Sequence, residues 1–269
     1  MAAKLVVIGG GKMGSALIGG LLRSGWATPA ELSVVEYSGD QRATLEAAFP
    51  GVTVLDQPSP GFVDASGGVV VAVKPEQVEG VMTILGALGV ERVLSVAAGI
   101  STMRLQTKLG TVGRVVRAMP NTAALVGAGM SAISGSDSAT SADLDWAQEV
   151  LEAVGQVVRV PERQMDAVTA ISGSGPAYLF LVAEAMIDAG VQAGLTRDQS
   201  ASLVTATFTG ASKLMEESGF SPVELRAQVT SPAGVTAAGL RILELKNTRS
   251  AFIEAVQTAA ERSFQLGRG

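Results

Sequence analysis

The stretch VVIGGGKMGSAL, residues 6–17, decides the fold. Its first three residues are β-branched and apolar, which suits a strand. A run with helical periodicity follows the glycines, with Ala16, Leu17, Leu21 and Leu22 on one side. Gly9, Gly11 and Gly14 have the spacing G-x-G-x-x-G. In a strand–turn–helix frame this spacing is a phosphate cradle. Gly9 permits the tight turn, Gly11 lets a pyrophosphate approach the backbone, and Gly14 allows close helix–strand packing. Free N–H groups and the helix dipole then favour the anion. The expected dinucleotide contacts here are Gly9, Gly11, Lys12, Met13 and Gly14.

The pattern outside this stretch agrees. KLVVI is followed by LSVVE, VTV, GVVVAV, RVLSVA and RVVRAM, with helical segments around DQRATLEAAF and after Pro75. Apolar strands without alternation predict a parallel sheet covered on both faces. Strand–helix alternation predicts a doubly wound, Rossmann-like α/β domain. After about residue 160 the texture changes to helices with no strand between them. Thr196 with Gln199, and Ser221 with Glu224, have capping-box spacing, and Pro222 stands at a first helical position. The expected division is a dinucleotide-binding domain over 1–160 and an all-α domain over 161–269.

Ligands of such sheets bind outside the carboxyl ends of the strands. The second strand ends at Glu36, an acid suited to the ribose hydroxyls of NAD, while Ser38 and Arg42 close by offer a hold for the 2′-phosphate of NADP. The next such segments are AVKP (Ala72, Val73, Lys74, Pro75), AAGIS (from Ala97, Ala98 and Gly99) and MPNT, which holds Asn121. The small residues at 97–99 leave room for a flat ring. Lys74 is either a cofactor contact or a helix-start lysine. Asn121 either orients a carboxamide or bends the turn.

Composition narrows the chemistry. The chain has 269 residues, comfortable for two domains, and a net charge of −5, which argues against a nucleic-acid or anionic-membrane partner. It contains no cysteine and no histidine. Disulfides, thiol nucleophiles, Ser-His-Asp chemistry and the usual zinc ligands are excluded, and no metal site is expected. The apolar run at the N-terminus is too short for a signal peptide. The stretch AYLFLVAEAMIDAGVQAGL carries Glu184 and Asp188, and reads as a buried helix rather than a membrane span. The side chains Tyr178 to Leu181 within it also suit a subunit interface. A soluble, cytoplasmic protein is expected.

The segments IGGGKMG, AVKPEQ, AAGIS, RAMPNTAALVGAGM, DAVTAISGSGPAY and VTSPAGVTAAGL occur in this order along the chain. Together they resemble the Δ1-pyrroline-5-carboxylate reductase family, over nearly the whole length. The resemblance implies reduction of a cyclic imine carboxylate to L-proline by hydride from NADPH or NADH, the last step of proline biosynthesis. It also implies a helical domain that forms an intertwined homodimer, often assembled further, with substrate held between the nicotinamide and the helical domain. By the same resemblance, Ser231, Gly234 and Val235 belong to the cradle for the substrate carboxylate. Thr236 matches the hydroxyl near the ring nitrogen, and Glu162 matches an acidic position near the substrate amine. The family usually has Gly-Gly where this chain has Ala233-Gly234, so position 233 is expected not to need positive φ. Ala123 replaces a proline found in some members.

The residues fit that chemistry. Backbone N–H groups at a helix start can hold a carboxylate without a large cationic counter-charge. The alternative for TSPAGVT is an ordinary Ser or Thr N-cap. A cyclic imine can arrive protonated, so no strong enzymic acid is required, and Thr236 is expected to orient rather than to donate a proton. Two other readings compete. A β-hydroxyacid dehydrogenase would show a lysine in the stretch SGSGPAYLFL, which has none before Lys213. A nucleotide sensor without catalysis would have no reason to keep TSPAGVT intact.

Overall fold

A computed structural model describes residues 2–111 and 113–268. The chain forms two compact units: the residues up to Ser174 together with those from Ala259 on, and Gly175–Thr258.

The first unit is built on β1 (Ala3–Ile8), α1 (Lys12–Arg23), β2 (Leu32–Val35), α2 (Gly39–Ala48), β3 (Thr53–Leu55) and β4 (Val63–Val71). There follow α3 (Pro75–Ala87), β5 (Arg92–Ser95), α4 (Thr102–Leu109), β6 (Arg114–Met119), β7 (Gly129–Gly135), α5 (Ser141–Glu152) and β8 (Gly155–Arg159). The strands form one sheet in the order β3-β2-β1-β4-β5-β6-β7-β8. Among themselves the first six pair in parallel, as their unbroken apolar runs require. β7 and β8 were not expected. β7 pairs antiparallel with β6 and parallel with β8. Its sequence GMSAISG is poor in β-branched residues, so its strand character comes from burial against the sheet's neighbours.

Each central strand divides its side chains between two cores. Leu5 and Val7 of β1 join Leu17, Ile18 and Leu21 of α1, whereas Val6 and Ile8 join Val78, Met82 and Leu85 of α3. Ile18 thus takes the inward place expected of Leu22, which is only partly buried. At the far end of the sheet, the fully buried Asp143 pairs with Arg92 at 2.9 Å and with Arg114 at 3.1 Å. Burial pushes its carboxyl up. Hydrogen bonds from Thr140 and the two guanidinium groups outweigh this and hold it below the usual carboxylate range.

The strand order reverses between β1 and β4. The crevice outside their carboxyl ends is where such a sheet binds its ligand.

The first unit runs past the expected boundary at 160/161. α6 (Met165–Val168) and a π-helical turn, Thr169–Gly173, belong to it, with Met165 and Ala170 buried. The Ser263 hydroxyl donates to the Asp166 carboxylate at 2.6 Å, tying the last helix to the same unit. The break in the unit falls at Ser174/Gly175, within SGSGP, where the helix restarts with Pro176 in its first turn.

The second unit is helical: α7 (Gly175–Gln192), α8 (Arg197–Glu217), α9 (Pro222–Gln228), α10 (Val235–Leu245) and the first half of α11 (Thr248–Arg268). Both expected capping boxes form, Thr196–Gln199 and Ser221–Glu224. The expectation that AYLFLVAEAMIDAGVQAGL lies buried is overturned for the single chain. α7, α9 and α10 contain no buried residue, and Leu179, Phe180 and Leu181 are more than half exposed. The apolar pattern was read correctly. What it lacks is a covering surface within one chain. Glu162–Gln192 is also the one stretch among the described residues long and apolar enough to cross a membrane, by length and composition alone.

Candidate active site

The glycine turn is shaped by sterics. Gly9 has φ 101°, and a Cβ there would lie 2.6 Å from the Ala72 carbonyl oxygen. A Cβ on Gly14 would overlap the Gly9 carbonyl oxygen. Gly11 is the N-cap of α1, with open space around it and no side chain capping the helix. The first internal bond of the helix is from the Ser15 N–H to the Gly11 carbonyl, at 2.8 Å. The N–H groups of Lys12, Met13 and Gly14 therefore lack intrahelical acceptors. These donors and the absent side chain make the cradle that a pyrophosphate requires. The residues fit a dinucleotide.

A cleft of about 390 Å³ opens beside this turn. Gly9, Gly11, Glu36, Ser38, Ala72, Val73 and Lys74 line it, together with Tyr37 and Gln77, which were not anticipated. Glu36 is fixed in it. Its carboxylate accepts from the N–H of Gly10 and from that of Ser38, both at 2.9 Å. Lys12 lines an adjoining depression with Gly11, and Met13 packs toward the core.

A second cavity of the same unit, about 490 Å³, is lined by Pro75, Ala98 and Gly99, with Arg104, Thr169, Ser174, Arg262 and Ser263 among the others. Ala97 is buried behind it. The small residues at 97–99 were legible as ring space. Arg262 and Ser263 stand on α11, far along the chain, with no local sequence signal to mark them. Arg104 had a faint one: it is the third residue of a helix capped by Ser101, directly after AAGIS.

Two predicted residues have definite partners. The Asn121 side-chain oxygen accepts from the Met130 N–H at 3.1 Å, holding the β6–β7 connection. Glu162 accepts from Arg117 at 2.6 Å and from the Thr102 N–H at 3.3 Å. Arg117 is almost fully buried, and Nε of Arg117 and Oε2 of Glu162 have no hydrogen-bond partner among the described residues.

The remaining predicted residues lie in the second unit. The Gly234 N–H donates to the Ser231 carbonyl at 3.1 Å, closing a turn with Pro232 and Ala233 at its centre. Ala233 has φ 54°, which overturns the expectation that it avoids positive φ. The turn itself is the cause: proline at the second place and positive φ at the third is the type II pattern. Gly234 is the N-cap of α10, and no side chain caps that helix. The Ser or Thr N-cap alternative is therefore excluded here. The first internal bond runs from the Ala238 N–H to the Gly234 carbonyl, so Val235, Thr236 and Ala237 present N–H groups without intrahelical acceptors. Ser231, Val235 and Thr236 are exposed, and a Cβ on Gly234 would press on the Ser231 hydroxyl.

Comparison with known proteins decides the family. The pyrroline-5-carboxylate reductase from Corynebacterium melassecola is 40% identical over 269 residues, covering 98% of each chain. The chain belongs to the pyrroline-5-carboxylate reductase family. It is an NAD(P)H-dependent oxidoreductase with a Rossmann-like sheet and an all-helical C-terminal region of the kind that forms homo-oligomers. The family model for pyrroline-5-carboxylate reductase dimerisation matches residues 162–266, and that for NADP oxidoreductase, coenzyme F420-dependent, matches 4–99. Among solved structures, a pyrroline-5-carboxylate reductase from Coxiella burnetii superposes with a TM-score of 0.92 at 35% identity, covering 99% of both chains. The Plasmodium falciparum pyrroline carboxylate reductase, solved with NADP bound, gives 0.84 at 30% identity over 98% of both.

Proposed function

We propose that this chain reduces Δ1-pyrroline-5-carboxylate to L-proline, the final step of proline biosynthesis. The observation that carries the reading is the uncapped start of α10. A helix whose first N–H groups face solvent beside Ser231 and Thr236 is a receptor for a small carboxylate. The dinucleotide, when bound, supplies the hydride.

The roles divide between the two units. In the first, Gly9, Gly11, Lys12, Met13 and Gly14 hold the pyrophosphate through backbone N–H groups. Glu36 and Ser38 meet the adenosine ribose, and Ala72 to Pro75 wall the same cleft. Ala97, Ala98 and Gly99 make room for the nicotinamide, and Asn121 stiffens the connection beyond β6. In the second unit, Ser231, Gly234 and Val235 hold the substrate carboxylate. Thr236 orients the imine nitrogen through its hydroxyl. Glu162, in the first unit and braced by Arg117, keeps one carboxylate oxygen for a cationic N–H. Functionally we place the division at 160/161, the helical part serving substrate and dimerisation; the match of the dimerisation family to 162–266 supports this. The exposed apolar faces of α7, α9 and α10 support a homodimer through that part, with further assembly open to it. The protein acts in the cytoplasm on a small-molecule substrate, without nucleic acid or membrane.

The direct test follows nicotinamide absorbance with pyrroline-5-carboxylate and each reduced dinucleotide in parallel. Oxidation of at least one is expected, with proline as product. Oxidation of neither would overturn the reading.

A further inference from the structure

Glu36 differs from a solvated acid at a strand end in how it is held. Its backbone N–H donates to Leu55 of β3 at 2.9 Å, fixing the residue to the sheet. Its carboxylate then turns back across the cleft. One oxygen takes the N–H of Gly10, inside the glycine turn, and the other takes the N–H of Ser38, at the start of α2. Both donors are main-chain groups of well-anchored segments. The negative charge therefore stays on the cleft wall.

The two residues that could hold a 2′-phosphate already take part in local hydrogen bonds. Arg42 donates from one nitrogen to the carbonyls of both Glu36 and Tyr37, at 2.9 and 2.8 Å. The Ser38 hydroxyl caps α2 by accepting from the Gln41 N–H at 3.4 Å. Among the described residues, Glu36 and Lys74 are the charged side chains that line the cleft. No cation pairs with the Glu36 carboxylate among the described residues, and its remaining lone pairs can accept from hydroxyl donors. A ribose with free hydroxyls gains charge-assisted hydrogen bonds there. A 2′-phosphate meets a fixed like charge at short range.

We infer that Glu36 makes this chain an NADH-preferring member of its family, by accepting the adenosine ribose hydroxyls and repelling a 2′-phosphate. The inference rests on the reading of the cleft as the dinucleotide site.

The test is a binding titration of the full-length protein with NADH and with NADPH, followed by nicotinamide fluorescence and without any imine. NADH is expected to bind roughly 10- to 100-fold more tightly. In Glu36→Gln, which keeps shape and removes charge, the ratio should fall about tenfold or more, chiefly through tighter NADPH. Glu36→Ser, which removes the acid and leaves a hydroxyl donor in its place, should shift it further. Should the serine variant not fold, the wild-type ratio and Glu36→Gln still decide. Equal binding, or tighter NADPH, in the wild type would overturn the inference. So would an NADH preference unchanged in Glu36→Gln, which would move the discrimination to other groups. Binding of neither dinucleotide would instead refute the reading of the cleft itself, and the inference with it.

Discussion

The glycine turn of the first unit and the turn before α10 in the second use one device on two backbones. Each ends a preceding element, passes through a residue with positive φ, and opens a helix that no side chain caps. They differ in what forbids a side chain. At Gly9 the backbone conformation and the Ala72 carbonyl both exclude a Cβ. At Ala233 a Cβ is present, and only the left-handed backbone opposes it. The first turn is fixed by packing at Gly9 and Gly14 and open at Gly11. The second is exposed and held by its own hydrogen bond. The first turn therefore admits no side chain at Gly9 or Gly14, whereas the turn before α10 carries a methyl group at a modest cost.

The harshest way to break this comparison is Gly9→Ala. It combines a φ of 101° with a contact of 2.6 Å to a main-chain oxygen. A loss of about 2–4 kcal/mol of unfolding free energy is expected. Dinucleotide affinity should fall with it, since the turn must move to relieve the clash. Urea unfolding and a dinucleotide titration check both. A variant as stable as the wild type would mean that the turn is softer than its packing implies.

A milder effect is expected at the second helix start. Thr236→Ala removes one hydroxyl beside open N–H groups and leaves the glycine turn untouched. A decrease of roughly 1–3 kcal/mol in transition-state stabilisation, about 5- to 150-fold in kcat/KM for the imine, follows from one neutral hydrogen bond. Dinucleotide affinity should stay near wild type, and Thr236→Ser should recover most of the rate. Unchanged kcat and KM in the alanine variant would remove Thr236 from the reaction.

The same contrast explains what the sequence disclosed. Gly9 and Gly14 announce their turn because glycine is the only residue that the packing admits there, whereas Gly11 stands in open space and fits the pattern by its place at the helix start. Strands such as LVVI and VVV are apolar on both faces and need no partner to be recognised. β7 was missed because Gly129, Ser131 and Ser134 carry no strand propensity of their own, and the sheet imposes the conformation. The helices of the second unit were legible as helices through their caps. Their burial was not, because the surface that would cover Leu179 and Phe180 is absent from the single chain. Arg262 and Ser263 reach the cavity beside Ala98 only through tertiary folding, which no local spacing encodes. Ala233 misled for a different reason: alanine hides a positive φ that glycine would have advertised.

That residue gives the smallest and sharpest test. Alanine in the left-handed region costs about 1–2 kcal/mol. Glycine removes this strain but widens the unfolded ensemble by about 0.4–1 kcal/mol. Ala233→Gly should therefore raise stability by only about 0.5 kcal/mol. Its kcat/KM for the imine should change little, since the N–H groups of Val235 to Ala237 keep their places at the helix start. Ala233→Val should act in the opposite direction and more strongly, because a β-branched residue fits positive φ worst. Thermal unfolding of the three proteins orders them. If glycine proved less stable than alanine, the turn would hold Ala233 without strain, and the two cradles would differ in packing alone. If instead the valine variant kept its stability but lost affinity for the imine, the backbone of this turn would be adjustable, and the carboxylate rather than the fold would set its shape.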